Sequence, residues 1–284
     1  MEVILFLNSK CNAKCKHCYI EYDGERSPED ALETVKALHK RGHDVGLAGT
    51  EVLLNPKYLA AYKQAGQCHL LTNGIILDHD KSLYSLLEKH GIACLVFSIH
   101  WGSREKIKSV PESLVARVIK ESLVRGFIVK IFTLITSENY NRVSEFCEEA
   151  IKLGAHILQL LRFVSTGRGR SVKELGLNAE QLSAFFSQVE DARKIYPKST
   201  LEISLRGNFG PRPGSIGEVL AKENQYCPAG KMLVVVDPQD NVYGCPYLMQ
   251  PKNKIGTYKD GEIIIEKDLL AGRRDACIAH IINK

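Results

Sequence analysis

The feature that most constrains this chain is a repeat. Short apolar, β-branched runs alternate with longer stretches of helical period, six times within the first 165 residues or so. Strands are expected over 3–7, 44–48, 68–72, 92–99, 127–136 and 156–163, and helices over 28–40, 56–65, 80–90, 112–125 and 139–153. That alternation is the pattern of β-α units feeding a parallel sheet, hence an α/β fold. Punctuation supports it. Ser27-Pro28-Glu29-Asp30 offers a capping hydroxyl, a first-turn proline and acids at the positive helix end. Gly42, Gly66, Gly91, Gly126 and Gly154 each follow a helical stretch, where glycine closes a helix with positive φ.

Beyond the sixth strand, a helix near 179–194 leads to a strand-like 201–205, then to Gly207-Asn208-Phe209-Gly210-Pro211-Arg212-Pro213-Gly214. Glycine and proline at this density mark a loop or boundary. The runs 233–236 and 241–243, joined by Asp237-Pro238-Gln239-Asp240, predict a β-hairpin. The expected division is therefore 1–206 for the β-α repeat with its following helix and strand, 207–225 for a linker, and 226–284 for a small C-terminal domain. The chain of 284 residues has no apolar run near the roughly 20 residues that span a bilayer. Its first residues lack the flank and cleavage site of a signal peptide. These readings predict a cytoplasmic protein with no membrane association. Net charge is +5, but Lys and Arg are scattered among acids, so no nucleic-acid footprint stands out.

Nine cysteines, an odd number in a chain expected to meet a reducing compartment, point to metal or redox chemistry. Cys11, Cys15 and Cys18 fall in Cys11-Asn12-Ala13-Lys14-Cys15-Lys16-His17-Cys18, just after strand one, at the end where α/β folds place their sites. Three thiolates within eight residues can hold one face of an iron-sulfur cube and leave the fourth iron without a protein ligand. A zinc knuckle with His17, or a ferredoxin-like electron carrier, are the alternatives; zinc prefers paired C-x2-C and H-x3 spacings, and a ferredoxin needs a fourth Cys.

A C-x3-C-x2-C after the first strand of a β-α repeat, with the aromatic Tyr19 directly following, resembles the signature of the radical S-adenosylmethionine (SAM) superfamily over about residues 1–165. The resemblance implies a partial (β/α)6 TIM-type barrel, a [4Fe-4S] cluster on Cys11, Cys15 and Cys18, and SAM chelated at the open iron. It further implies SAM contacts. Ala48-Gly49-Thr50-Glu51 stands where the family has Gly-Gly-Glu, so Glu51 is expected to bind the SAM amino group; Thr50 departs from that pattern. Thr72-Asn73-Gly74 resembles the family's Thr-Asn-Gly turn, Ser98 matches a position that contacts SAM, and Leu160 falls where an apolar residue packs on adenine.

A second set, Cys227, Cys245 and Cys277, with His280 in Cys277-Ile278-Ala279-His280, resembles the twitch domain, a shortened SPASM domain carrying an auxiliary cluster. The resemblance implies a second iron-sulfur cluster, with His280 where a cysteine is usual; a Cys3His zinc site is the alternative. It also implies an enzyme that cleaves SAM to a 5′-deoxyadenosyl radical, with a ribosomally made precursor peptide as substrate. A splicease-type maturase is one such reading. Partners would be a separate leader-recognition protein and a reductant such as flavodoxin or ferredoxin. Oxidation or epimerisation of a sugar or aminocyclitol is the runner-up. An iron-sulfur electron carrier or zinc scaffold is the non-enzyme reading.

Overall fold

The computed structural model describes residues 1–102, 109–206, 209, 227–268 and 277. The expected linker lies, apart from Phe209, outside the described residues, as does His280. The chain divides by compactness into two units: Met1–Cys11, Tyr19–Gln67 and Gly207–Lys284 form the first, and Asn12–Cys18 with Cys68–Arg206 the second.

In the first unit, β1 (Glu2–Phe6) pairs in parallel with β2 (Asp44–Ala48), Val3 opposite Val45 and Leu5 opposite Leu47. Between them α1 (Pro28–Lys40) begins as its sequence predicts: the Ser27 hydroxyl accepts the Asp30 N–H at 3.0 Å, and Ala31, Thr34, Val35 and Leu38 form the buried stripe. A short α2 (Leu59–Gln64) follows. The Gln67 side chain then closes the outer edge of β2. Its Oε1 accepts the Leu47 N–H at 2.6 Å and its Nε2 donates to the Leu47 carbonyl at 3.1 Å, satisfying both backbone groups as a neighbouring strand would.

The second unit carries β3 (His69–Thr72), α3 (Ile75–His79), α4 (Leu83–Lys89), β4 (Cys94–Ser98), α5 (Glu112–Val124), β5 (Ile128–Ile135), α6 (Val143–Lys152), β6 (Ile157–Arg162), α7 (Ala179–Ile195) and β7 (Glu202–Leu205). Its five strands run parallel in sequence order. One face is sealed: Val129, Ile131, Thr133 and Ile135 of β5 are fully buried, and they alternate with exposed or half-buried Ile128, Lys130, Phe132 and Leu134. This two-residue period is what one helix-covered face and one open face require. The five helix-ending glycines take φ between 68° and 83°.

Two differences from the sequence reading stand out. The segment expected as one helix over 80–90 is preceded by a separate turn of helix, α3, which starts at Gly74 (φ 85°) and ends at His79; Asp80 then accepts from the Ser82 N–H and hydroxyl, and α4 begins beyond it. The C-terminal hairpin, β8 (Leu233–Val236) and β9 (Asn241–Tyr243), is present but does not stand apart. β8 lies parallel against β1, Val3 opposite Val234, and β10 (Lys254–Lys259) and β11 (Glu262–Ile265) extend the sheet, giving the order β11-β10-β9-β8-β1-β2. Compactness thus groups the hairpin with the first strands rather than beyond residue 206.

Candidate active site

The three cysteines of the first motif occupy the loop after β1, are all half-buried, and form no disulfide. Cys11 ends a segment of the first unit, while Asn12–Cys18 belongs to the second. Each part is held by its own unit. In the first, the Glu51 N–H donates to the Lys10 carbonyl at 3.2 Å, and Asn8 accepts from the Thr50 N–H and hydroxyl, so the turn after β2 is tied to the segment that delivers Cys11. In the second, Asn73 Nδ2 donates to Asn12 Oδ1 at 2.7 Å, Arg168 Nε donates to the Cys15 carbonyl at 3.0 Å, and the Gly169 N–H donates to the Cys18 carbonyl at 3.3 Å. The His17 ring meets His100 edge-on, centroids 4.3 Å apart, and His100 Nδ1 accepts the Leu134 N–H. These partners follow β3, β4 and β6. The loop therefore sits over the carboxyl ends of the strands, where parallel folds gather chemistry.

Gly169 lets the backbones come close there: a Cβ on it would stand 3.3 Å from the Val164 carbonyl and the Phe163 ring and 3.4 Å from the His17 carbonyl, so these neighbours would have to give by a few tenths of an ångström. Arg168, Gly169, His100, Asn12 and Ser109, whose hydroxyl lies 2.8 Å from Cys15 Sγ, were not singled out by the sequence reading. The Gly167-Arg168-Gly169-Arg170 run was the available signal for two of them, since close-approach glycines beside a cation after a strand mark a loop shaped for a neighbour.

The expected SAM contacts fall unevenly. Asn73 is half-buried and its Oδ1 caps α3 through the Ile75 N–H; Gly74 makes the left-handed turn the Thr-Asn-Gly pattern predicts. Ser98 ends β4, half-buried. Tyr19 packs on an apolar cluster of Phe6, Val235, Tyr243 and Met249 and lies 4.9 Å, centroid to centroid, from Tyr247. Glu51 is fully buried, its carboxylate accepting the Leu53 N–H at 3.3 Å and raising, after burial, the pKa of the neighbouring Tyr62 hydroxyl. Leu160 is fully buried in phase with Leu158, while Ile157, Gln159 and Leu161 are half-buried.

In the second cysteine set, Cys227 and Cys245 are half-buried and Cys277 is buried. Desolvation pushes the Cys245 thiol pKa well above its usual range, and the charges of Cys277 and Cys227 add to the shift. A thiolate held in low dielectric suits a cationic centre that compensates its charge. Among the described residues, no three His, Cys, Asp or Glu side chains converge on one point as a single metal ion would require; thiolates bound to different irons of a cube need not. The donor chemistry of both sets, soft thiols free of disulfides, fits iron-sulfur ligation.

Comparison with known proteins decides the family. The radical SAM superfamily profile matches residues 6–150. The chain belongs to the radical SAM superfamily. It is a radical SAM enzyme, for which a [4Fe-4S] cluster and SAM are the family cofactors. Among curated relatives, mycofactocin maturase MftC of Mycobacterium ulcerans (strain Agy99) is 23% identical over 87% of this chain and 68% of that protein. MftC of Mycobacterium tuberculosis (strain ATCC 25618 / H37Rv) is 24% identical over 85% and 63%. Among solved structures, Streptococcus suis SuiB bound to S-adenosylmethionine aligns at TM-score 0.70 and 16% identity, over 99% of this chain and 67% of SuiB. anSMEcpe with bound AdoMet aligns at TM-score 0.66 and 17% identity, over 90% and 77%. The chain spans about two thirds of the length of MftC and SuiB. At these identities the structural likeness establishes the fold, the partial barrel expected from sequence.

Proposed function

We propose that this enzyme is a maturase of a ribosomally made precursor peptide. The observation that carries the reading is agreement between two independent comparisons: its curated relatives are named maturases, and SuiB, whose fold it shares, has been solved bound to its precursor peptide SuiA. Cys11, Cys15 and Cys18 would ligate the cluster, and Glu51, Asn73, Ser98 and Tyr19 would lie around SAM. When bound, cluster and SAM supply the radical that takes hydrogen from the substrate. The chain's own residues do the positioning: Asn12 is held by Asn73, Cys15 and Cys18 by Arg168 and Gly169, and the Cys11 segment by the turn at Glu51. Cys227, Cys245 and Cys277 would hold an auxiliary iron-sulfur cluster, with His280 as a candidate fourth ligand. A separate leader-recognition protein and a flavodoxin- or ferredoxin-type reductant would complete the system, in the cytoplasm.

The test uses anaerobically reconstituted protein, wild type and the variant with Cys11, Cys15 and Cys18 all changed to Ala. With dithionite as the electron donor, wild type should convert SAM to methionine and 5′-deoxyadenosine and change the mass of a short peptide encoded beside its gene; the triple variant should do neither yet retain iron at the second set. Undiminished SAM cleavage by the variant would remove the three cysteines from the site. Zinc without iron in the variant would refute the auxiliary cluster, and a modified sugar with untouched peptide would overturn the maturase reading.

A further inference from the structure

We propose that Ser109 and Arg168 set the reduction potential of the cluster through Cys15. The inference rests on the reading that Cys11, Cys15 and Cys18 hold a [4Fe-4S] cluster. Ser109, 94 residues beyond Cys15 in sequence, stands just ahead of α5, and its Oγ lies 2.8 Å from Cys15 Sγ. While Cys15 is a thiol, either atom can donate. A cysteine bound to iron has lost its proton, so its sulfur only accepts and the serine hydroxyl becomes the donor. Arg168 adds a second interaction at the same residue, its Nε donating to the Cys15 carbonyl at 3.0 Å and bringing a guanidinium charge next to the ligand. Cys18 receives a backbone N–H from Gly169 on its carbonyl, so the paired donors converge on Cys15.

Reduction of a cluster by one electron adds a negative charge spread over its irons and sulfurs. A hydrogen bond into a ligating sulfur and a nearby cation both stabilise that added charge more than they stabilise the oxidised form. Their presence therefore raises the potential and eases delivery of the electron that SAM cleavage consumes. Ser109 and Arg168 are both exposed, so water replaces part of what is lost when either is removed, and each single effect is moderate.

The experiment is a dithionite redox titration of the reconstituted holoenzyme followed by EPR, tracking the signal that changes when SAM is added. Ser109→Ala should make reduction about threefold less favourable, ~28 mV at 59 mV per tenfold for one electron. The double variant Ser109→Ala/Arg168→Gln should reach about tenfold. Ser109→Thr keeps the hydroxyl and should keep the wild-type potential, and iron and sulfide per chain should match wild type throughout. Potentials unmoved in Ser109→Ala and in the double variant, with full cluster content, overturn the inference. A wild type with no SAM-responsive signal overturns the cluster reading on which it stands.

Discussion

Glu51 joins two tasks that a single substitution separates. Its carboxylate caps the 52–54 turn through the Leu53 N–H, and its proposed partner is the SAM amino group. Glu51→Gln keeps an oxygen that can accept from Leu53, so the fold should persist with little change in melting temperature. A charge-assisted hydrogen bond to SAM becomes a neutral one, a loss of roughly 1.4 kcal/mol, about tenfold in affinity. Equilibrium SAM binding checks this, and an unchanged Kd leaves Glu51 with the cap alone. At this scale the C-x3-C-x2-C spacing of the three N-terminal cysteines is legible because it is local. The phase of Leu160 was not legible: Ile157-Leu158-Gln159-Leu160-Leu161 is apolar at four of five positions, so composition hides which residues are buried. Ser109 left no sequence trace, since nothing local relates it to Cys15.

Among the elements, α1 is bound to the β8–β9 turn by a buried cation. Arg26, 3% exposed, pairs with Asp30 at 2.6 Å and Asp240 at 2.5 Å, and donates to the Asp237 carbonyl at 2.9 Å and Thr34 at 3.3 Å. Asp240 holds φ 63°, unusual for a non-glycine, and Asp237 fixes that turn by accepting from the Gln239 and Asn241 N–H groups. Arg26→Met removes the charge while keeping much of the stem volume. Breaking a fully buried pair costs about 3–5 kcal/mol; here both carboxylates are near half-exposed and stay solvated, which lowers the expected loss to roughly 2–3 kcal/mol. Urea unfolding reads it, and a loss under about 0.5 kcal/mol would reduce the network to a surface pair. Helix starts such as Ser27 and strand spans were legible because capping and periodicity are local. The Arg26 network was not, since it joins positions more than 200 residues apart.

Over the whole molecule, the separation expected at residue 206 meets a sheet that crosses it. Glu2 pairs with Leu233 and Leu5 with Val236, a parallel pairing of the two ends of the chain that no local pattern announces. The hairpin itself was legible from its alternation and turn; its partner was not. The consequence is energetic. Val234, Val235 and Val236 are fully buried, and at roughly 1.5–3 kcal/mol for each enclosed aliphatic side chain they contribute on the order of 5–9 kcal/mol before counting the surface of β1 that they cover. That is comparable with the whole stability of an ordinary domain, about 5–15 kcal/mol. A chain ending at residue 206 should therefore fail to unfold cooperatively and should aggregate through the bared edge of β1. Far-UV circular dichroism on heating and size-exclusion chromatography compare it with the full chain. A monomeric 1–206 fragment melting cooperatively near the full-length temperature would make residue 206 a folding boundary and reduce the β1–β8 pairing to a docking contact.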